Sequence, residues 1–453
     1  MKVNIYFTII LLFFMPFAFA QVPDTLWTRT YGGPGNDMGY SVEQTVDGGF
    51  IIAGWTRSFG AGGSDMYLIK VDTAGNLVWE KTYGGTDDET GWSTVQTAAG
   101  GYVIAGHTYS FGSGNADVYL VKTDTLGDTL WTKTYGGHGF DYSYSLCKTL
   151  DNGFILAGRS SSFGQGDEVY VIKTDSMGNQ IWEKTYGGPL LDVAYAICET
   201  YDGGYVIAGY SSSFGNAGAY VIRTDSLGDS LWTRSYGGVM SDLASHVEPL
   251  DDTSYIIAGY TESFGAVYGD FLIVKFNDNG DTIWTRNYGG EYTEWAYVAK
   301  KTADNYYIIA GWTDSYGGTY GSNIYLLKLD EWGDSIWAGV YAEDSNEAAF
   351  DMQIISDGSY IILGSTNSYG AGGEDVYLIK TEPDVGVEEK KTTIAVRKNY
   401  GASIFSGLLL LPEGKNCRIF DIAGRVVIPN KIRPGIYFIE IDGKLTRKVV
   451  KVR

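Results

Sequence analysis

Cysteine is nearly absent from this chain, with Cys147, Cys198 and Cys417 the only three in 453 residues. That excludes a disulfide scaffold, and the odd number leaves at least one thiol unpaired. Histidine is as scarce. His107, His138 and His246 fall at unrelated positions, so neither a metal triad nor a Ser/His/Asp set is suggested. Charged residues make up 19% and the balance is negative, a formal −21 at neutral pH. A chain so acidic lacks the basic footprint that nucleic-acid binding requires. No apolar run beyond residue 20 approaches the ~20 residues of a spanning helix. No glycine-rich loop follows a strand and opens a helix, so a phosphate cradle is missing as well.

What is abundant points one way. There are 62 glycines, 36 tyrosines and 12 tryptophans, and aromatics reach 15%. Disordered chains lack aromatics, and glycine with β-formers opposes long helices. The composition is that of an all-β protein punctuated by turns. Residues 1–20 read as a signal peptide: Lys2 supplies the positive start, an apolar stretch follows, and Ala18-Phe19-Ala20 gives the small-x-small cleavage pattern. No cysteine follows the expected cut at Gln21, which argues against lipid attachment there.

An internal repeat governs the rest. Trp27, Trp79, Trp131, Trp182, Trp232, Trp284 and Trp337 lie 52, 52, 51, 50, 52 and 53 residues apart. Within the second unit, strands are expected at about 77–83, 92–97, 101–108 and 117–123, divided by Gly- and Asp-rich turns. Four strands in some fifty residues match one β-propeller blade. The third strand of each unit is a nearly continuous apolar run, such as Tyr102-Val103-Ile104-Ala105, implying burial on both faces. The Trp strand alternates, as an outer strand half in solvent should. The chain also begins with a lone Trp strand, Leu26–Tyr31, and its last repeat ends at Asp375–Thr381 without one. The head strand therefore completes the last blade, giving seven blades over residues 21–381 and no bare edge. The recurrent hairpin Asp72-Thr-Ala-Gly75-Asn76-Leu77-Val78-Trp79 resembles the tryptophan-docking hairpin of quinoprotein-type propellers. That resemblance bears on the fold and not on an activity.

Ten residues after each repeat Trp stands an acid: Asp37, Glu89, Asp141, Asp192, Asp242, Glu294 and Glu347. On a propeller these seven ring one mouth of the central channel. Two readings are open. The ring binds a cation, or a cationic group of a partner, because seven like charges favour a counter-ion; or each acid accepts N–H bonds from the Gly-rich loop ahead of it. No other cofactor is expected. Ser-Phe/Tyr-Gly recurs on the same face (Phe59, Phe111, Phe163, Phe214, Phe264, Tyr316, Tyr369), as stacking platforms or as packing between blades. Lys70 and its counterparts, with Asp72 and its counterparts two positions on, are expected to pair locally. Sixteen residues after each Trp the identity varies: Glu43, Val95, Cys147, Cys198, Glu248, Lys300 and Gln353, as channel lining or drift. A Cys147–Cys198 disulfide is conceivable, although inner strands of neighbouring blades are usually too far apart.

Beyond Thr381 the character changes. A charged linker spans 382–391, and residues 390–453 carry 14 Lys/Arg against 4 Asp/Glu, whereas 21–389 carry 18 against 50, a net of −32. Cys417-Arg-Ile-Phe-Asp421-Ile-Ala-Gly424-Arg425-Val426-Val427, then Arg433-Pro434-Gly435-Ile436-Tyr437-Phe438-Ile439-Glu440, and a Lys-rich end, resemble the C-terminal sorting domain of the type IX secretion system. From the residues alone, 392–453 read as short strands of a small β-sandwich. The resemblance implies export across both membranes of a Gram-negative cell, with the secretion machinery as partner. The expected function is thus that of a secreted or cell-surface binding propeller with a protein or polysaccharide ligand. The alternative is a secreted hydrolase, lyase or quinoprotein-like enzyme with its site at the channel mouth.

Overall fold

Tyr, Val and Ile fill the strand positions of each repeat, and Gly-containing turns separate them, so each repeat folds as an antiparallel meander. In the first, β2 (Asp37–Gln44), β3 (Phe50–Thr56), β4 (Asp65–Val71) and β5 (Leu77–Tyr83) lie in that spatial order. Five further sheets repeat the pattern. The seventh combines Glu347–Ile354, Tyr360–Thr366 and Asp375–Thr381 with the head strand β1 (Thr25–Tyr31). There Trp27 faces Lys380 and Tyr31 faces Val376, antiparallel. The protein is an all-β, seven-bladed propeller shut by its first strand. The description comes from a computed structural model and covers residues 22–215, 217–265, 268–317, 321–341, 343, 345–384, 403–405, 417–421, 426–427, 435–441 and 444–451. The expected signal peptide and most of the linker lie outside these residues.

The core lies between blades. Ile51, Ala53, Met66 and Leu68 of the first blade meet Tyr102, Ile104, Tyr119 and Val121 of the second, all buried. At the closure, Val42, Ile52, Tyr67 and Ile69 meet Ile361, Leu363, Val376 and Leu378 in the same way. Each such aliphatic contributes roughly 1.5–3 kcal/mol on burial, so the non-covalent junction is as well packed as its covalent neighbours.

The outer edge is latched by two residues of the Trp strand. Trp27 lies over Gly75 in the next blade's hairpin, which has φ +75°, and a Cβ there would come within 2.8 Å of the indole. Glycine thus meets a conformational and a steric demand at one position. Four residues on, Tyr31 donates to the carbonyl of that same Gly75 at 2.6 Å, and Tyr83, Tyr135 and Tyr186 repeat the bond to Gly127, Gly178 and Gly228. Among the described residues the seventh blade has no such hairpin, and Tyr341 donates to Pro23 at 2.6 Å. The incoming N-terminal segment supplies the acceptor the ring would otherwise miss.

The chain divides into two compact units, Met1–Val387 and Glu388–Arg453. The described part of the second is one four-stranded sheet in the order Ser403–Phe405, Lys444–Lys451, Gly435–Ile441, Cys417–Asp421. The first pair is parallel and the others antiparallel. Among the described residues this is a single layer, with Ile419, Tyr437 and Ile439 buried.

Candidate functional site

The seven acids stand at corresponding places, each opening an innermost strand, and none is more than 1% exposed. Asp37 accepts the Gly33 N–H at 2.8 Å and the Ser58 hydroxyl at 2.6 Å, and also bonds Thr56. Asp141 does the same with Gly137, Ser162 and Ser160, and Asp192 with Gly188, Ser213 and Ser211. Asp242 holds Gly238, Ser263 and Thr261. Glu89 and Glu294 keep the glycine bond, to Gly85 and Gly290, and Glu347 accepts Thr366 at 2.8 Å. In place of an open crown of carboxylates, six of the acids form closed knots that tie the incoming loop to the end of the third strand, while Glu347 holds Thr366 and keeps its second oxygen buried without a partner. A cation would reach the six knotted acids only by displacing these bonds.

The open site lies deeper. Every innermost strand carries a β-bulge: between Gly39 and Ser41, Gly91 and Ser93, Ser143 and Ser145, Ala194 and Ala196, Ala244 and His246, Ala296 and Val298, and Ala349 and Asp351. The skipped residues are Tyr40, Trp92, Tyr144, Tyr195, Ser245, Tyr297 and Phe350. A bulge re-aims its extra residue, and here all seven border a central channel of about 730 Å³. The rings follow one another around it. Centroid distances are 5.6 Å for Tyr195–Tyr144, 5.3 Å for Tyr144–Trp92 and 4.2 Å for Trp92–Tyr40. They are 5.3 Å for Tyr40–Phe350 and 5.1 Å for Phe350–Tyr297. The fifth blade has Ser245, and Trp295 of the sixth fills the gap. It lies 5.8 Å from Tyr297 and donates from Nε1 to the Ser245 hydroxyl at 2.8 Å. Third-strand side chains brace this collar: Trp55 donates to Tyr40 at 3.2 Å, and the Trp92 indole N–H to His107 at 3.3 Å. Burial, with help from Arg159, lowers the His107 pKa to about 4, which keeps Nδ1 free to accept.

Next along the bore comes a polar tier. Glu43, Val95, Cys147, Cys198, Glu248, Lys300 and Gln353 all line the channel. Lys300 pairs with Glu248 at 2.8 Å. Asp351 accepts the Val42 N–H at 2.9 Å, and Gln353 donates to the Val42 carbonyl at 2.7 Å. Burial pushes the Asp351 carboxyl up to about 6 against the pull of Lys300. Burial would lower Lys300, but Glu248 and Asp351 outweigh it and hold the ammonium above its ordinary value. Cys147 and Cys198 are free thiols, both pushed up by burial. The tier is charged in the first, fifth and sixth blades and neutral in the others, with Asp351 adding a carboxylate beside Gln353 in the seventh.

The mouth face is uneven too. In the first six blades three residues separate the glycine pair from the acid, and their identities vary from blade to blade. In the third to fifth blades they include Phe140 (41% exposed), Leu190 (55%), Leu191 (38%), Val239 (78%) and Met240 (54%). In the second blade the corresponding tip is Thr86-Asp87-Asp88, and in the first Pro34-Gly35-Asn36. The Ser-Phe/Tyr-Gly rings share this face, and they pack within their own blade and not between blades. Phe59, Phe111, Phe163, Phe214, Tyr316 and Tyr369 lie tilted on buried tyrosines at 5.4–6.2 Å, while Phe214 stays 55% exposed and Phe264 39%.

The expected Lys–Asp pairs two positions apart do not form. Lys70 reaches the turn acid Asp47 at 3.1 Å, Lys173 Asp151 at 2.9 Å and Arg223 Asp202 at 2.7 Å. Asp72 caps its own hairpin through the Ala74 and Asn76 N–H groups, each at 2.8 Å. A cation reaching across to an acid in a neighbouring turn satisfies both groups, and the hairpin needs Asp72 for itself. Among the described residues, no three His, Cys, Asp or Glu side chains converge as metal ligands.

No protein-family model matches the chain. It is 28% identical over 108 residues to the regulatory protein FlaEY of Caulobacter vibrioides, a match covering 21% of this chain and 11% of that protein. The chain therefore spans about a tenth of that curated relative. Among solved structures, it is similar to Chaetomium thermophilum Sqt1 bound to the N-terminus of ribosomal protein L10, with 9% identity, a TM-score of 0.45, and 80% of this chain and 100% of that chain covered. The Neurospora crassa Pan2 WD40 domain gives 10%, 0.47, 79% and 98%. A Dyadobacter fermentans protein of unknown function gives 11%, 0.43, 79% and 98%.

Proposed function

We propose that this chain is a binding module that takes a protein or polysaccharide partner on the glycine-loop face of its propeller, outside the cell. The carrying observation is the broken symmetry of that face. Knots, latches and inter-blade cores recur around the ring, whereas the loop tips are apolar in three consecutive blades and polar or acidic in others. Exposed apolar residues also occur at the opposite turns, such as Val46, Leu150 and Tyr201, and along the outer strands, but on this face they cluster in the loops of three neighbouring blades of a strongly acidic domain, as an interaction surface would. The signal-peptide pattern and the resemblance of the last 40 residues to a type IX sorting domain support export, with the C-terminal unit addressing the secretion machinery.

Immobilised full-length protein, screened against a glycan array and purified surface proteins, should capture a partner with wild-type loops. Leu190→Asp with Met240→Asp should lower that capture at least tenfold. Val46→Asp, at a 90% exposed position on the opposite face, should leave it unchanged. Capture that ignores the loop pair but follows Val46 would overturn the reading. Deleting residues 391–453 should leave the propeller in the periplasm, and normal export of the truncated chain would remove the sorting role.

A further inference from the structure

We infer that the channel holds a cationic organic group, a methyl-substituted ammonium, within the aromatic collar that its seven bulged strands present. This deepens the binding-module reading and rests on it, because it names what a partner would insert at the centre of the face.

The collar first. Six bulge residues and Trp295 form a run of seven rings from Tyr195 to Trp295, each no more than 5.8 Å from the next, with Trp92 stacked on Tyr40, Trp295 stacked on Tyr297, and the other neighbours tilted or edge-on. Aromatic rings carry negative charge on their faces and attract cations within about 6 Å. The protein already uses this beside the collar, where the Arg159 guanidinium lies 4.9 Å from the centroid of Tyr142 and its charge also reaches Tyr144 and Tyr195. The walls are apolar as well as electron-rich. That combination suits a methylated ammonium, which is weakly hydrated and offers apolar surface, better than a bare one that holds its water.

The polar tier adds the charge. Glu43, Glu248 and Asp351 line the channel; Lys300 is engaged by Glu248 at 2.8 Å and Lys148 by Glu43 at 3.3 Å, so the three carboxylates outnumber the two ammonium groups paired with them. His246 also lines the bore and is kept neutral by burial and by Lys300, so it adds no positive charge. An anion would meet three carboxylates inside a domain of strongly negative charge. A channel of about 730 Å³ lies in the range of small-molecule sites and admits such a group with room for water.

The test uses the full-length protein, calorimetry, and two probes of one shape: choline and its uncharged isostere 3,3-dimethylbutan-1-ol, at equal ionic strength. Choline should bind at least tenfold more tightly. Tyr40→Leu with Trp92→Leu should weaken choline at least tenfold. Asp351→Asn, a milder change that leaves every ring in place and breaks no ion pair, should weaken it several-fold without lowering the melting temperature. A peptide bearing trimethyl-lysine, run beside choline, separates the sources: tighter peptide binding assigns the group to a protein side chain, and equal binding to a free small molecule. Equal affinity for choline and the isostere, or no binding of either at tens of millimolar, would overturn the inference. In both cases partner capture by Leu190 and Met240 is measured independently, so the module reading stands or falls on its own.

Discussion

Asp351 sits on the innermost strand of the seventh blade and accepts the Val42 N–H across the seam with the first. Burial raises its pKa to about 6, the nearby Glu248 adds to the rise, and Lys300 offsets part of it. Folded Asp351 therefore binds its proton more tightly than the unfolded chain does. The linked stability is highest below about pH 4, falls as pH rises towards 6, and stays low above. A shift of this size corresponds to no more than about 3 kcal/mol, less whatever water in the channel screens. Asp351→Asn keeps an oxygen for Val42 and removes the buried charge. The variant should melt higher than wild type at pH 7.5, and the difference should vanish near pH 4. A variant that melts lower at pH 7.5 would show that the carboxylate stabilises the seam. The sequence marked the polar tier correctly as the position where blades differ, because variation is visible without coordinates. Which of those residues meet in the bore was not visible.

At the level of the strand, two devices escaped a reading by period. Alternation places every second residue on one face, and a bulge breaks that count. Tyr40, Trp92 and Tyr144 could be listed as aromatic from the repeat, but their turn into the channel depends on one unpaired residue per strand that no spacing announces. The same bulge explains why the innermost strand begins at Glu89, three residues ahead of the expected 92. The knotted acids fared differently: their position was legible and their burial was not, since a carboxylate beside a glycine pair reads equally well as ligand or as brace. The second device is the clamp after the fourth strand. Lys328 lies 2.6 Å from Asp384, with side chains 5% and 7% exposed, and Tyr360 donates to the same carboxylate at 2.5 Å. Arg223, Asp278 and Tyr255 repeat the arrangement between the fourth and fifth blades. Removing one partner of a buried pair strands the other charge, at a cost of about 3–5 kcal/mol. Asp384→Ala should lower the melting temperature by several degrees. Lys328→Met added to it should recover part of the loss, giving a favourable coupling in the double-mutant cycle. Additive losses would mean that the pair is held by its surroundings and contributes little.

The ring as a whole depends on one junction that no peptide bond secures. Strand β1 supplies the outer edge of the last blade, the indole of Trp27 over Gly75, the Tyr31 bond to Gly75 and, through Pro23, the acceptor for Tyr341. Its ladder with Asp375–Thr381 spans six residue pairs. This closure was readable from the two ends of the repeat alone, because an unpaired edge at each end has one cheap remedy. Loss of the strand has two consequences. The seventh blade keeps three strands with a bare edge, and such an edge is a template for pairing with other chains. Its inter-blade core also loses the covering of Tyr31 and Trp27, both packed there. A chain lacking residues 22–31 should therefore elute as oligomers and melt early and broadly. A synthetic peptide of residues 22–31 should add to the vacant edge, as strand-addition ligands do, returning the monomer and most of the melting temperature. A peptide with Arg29, which lies opposite Leu378, replaced by proline removes a ladder donor and should fail. If the truncated chain stays monomeric and melts like wild type, the edge is satisfied in another way, and closure by the head strand is not what holds the ring.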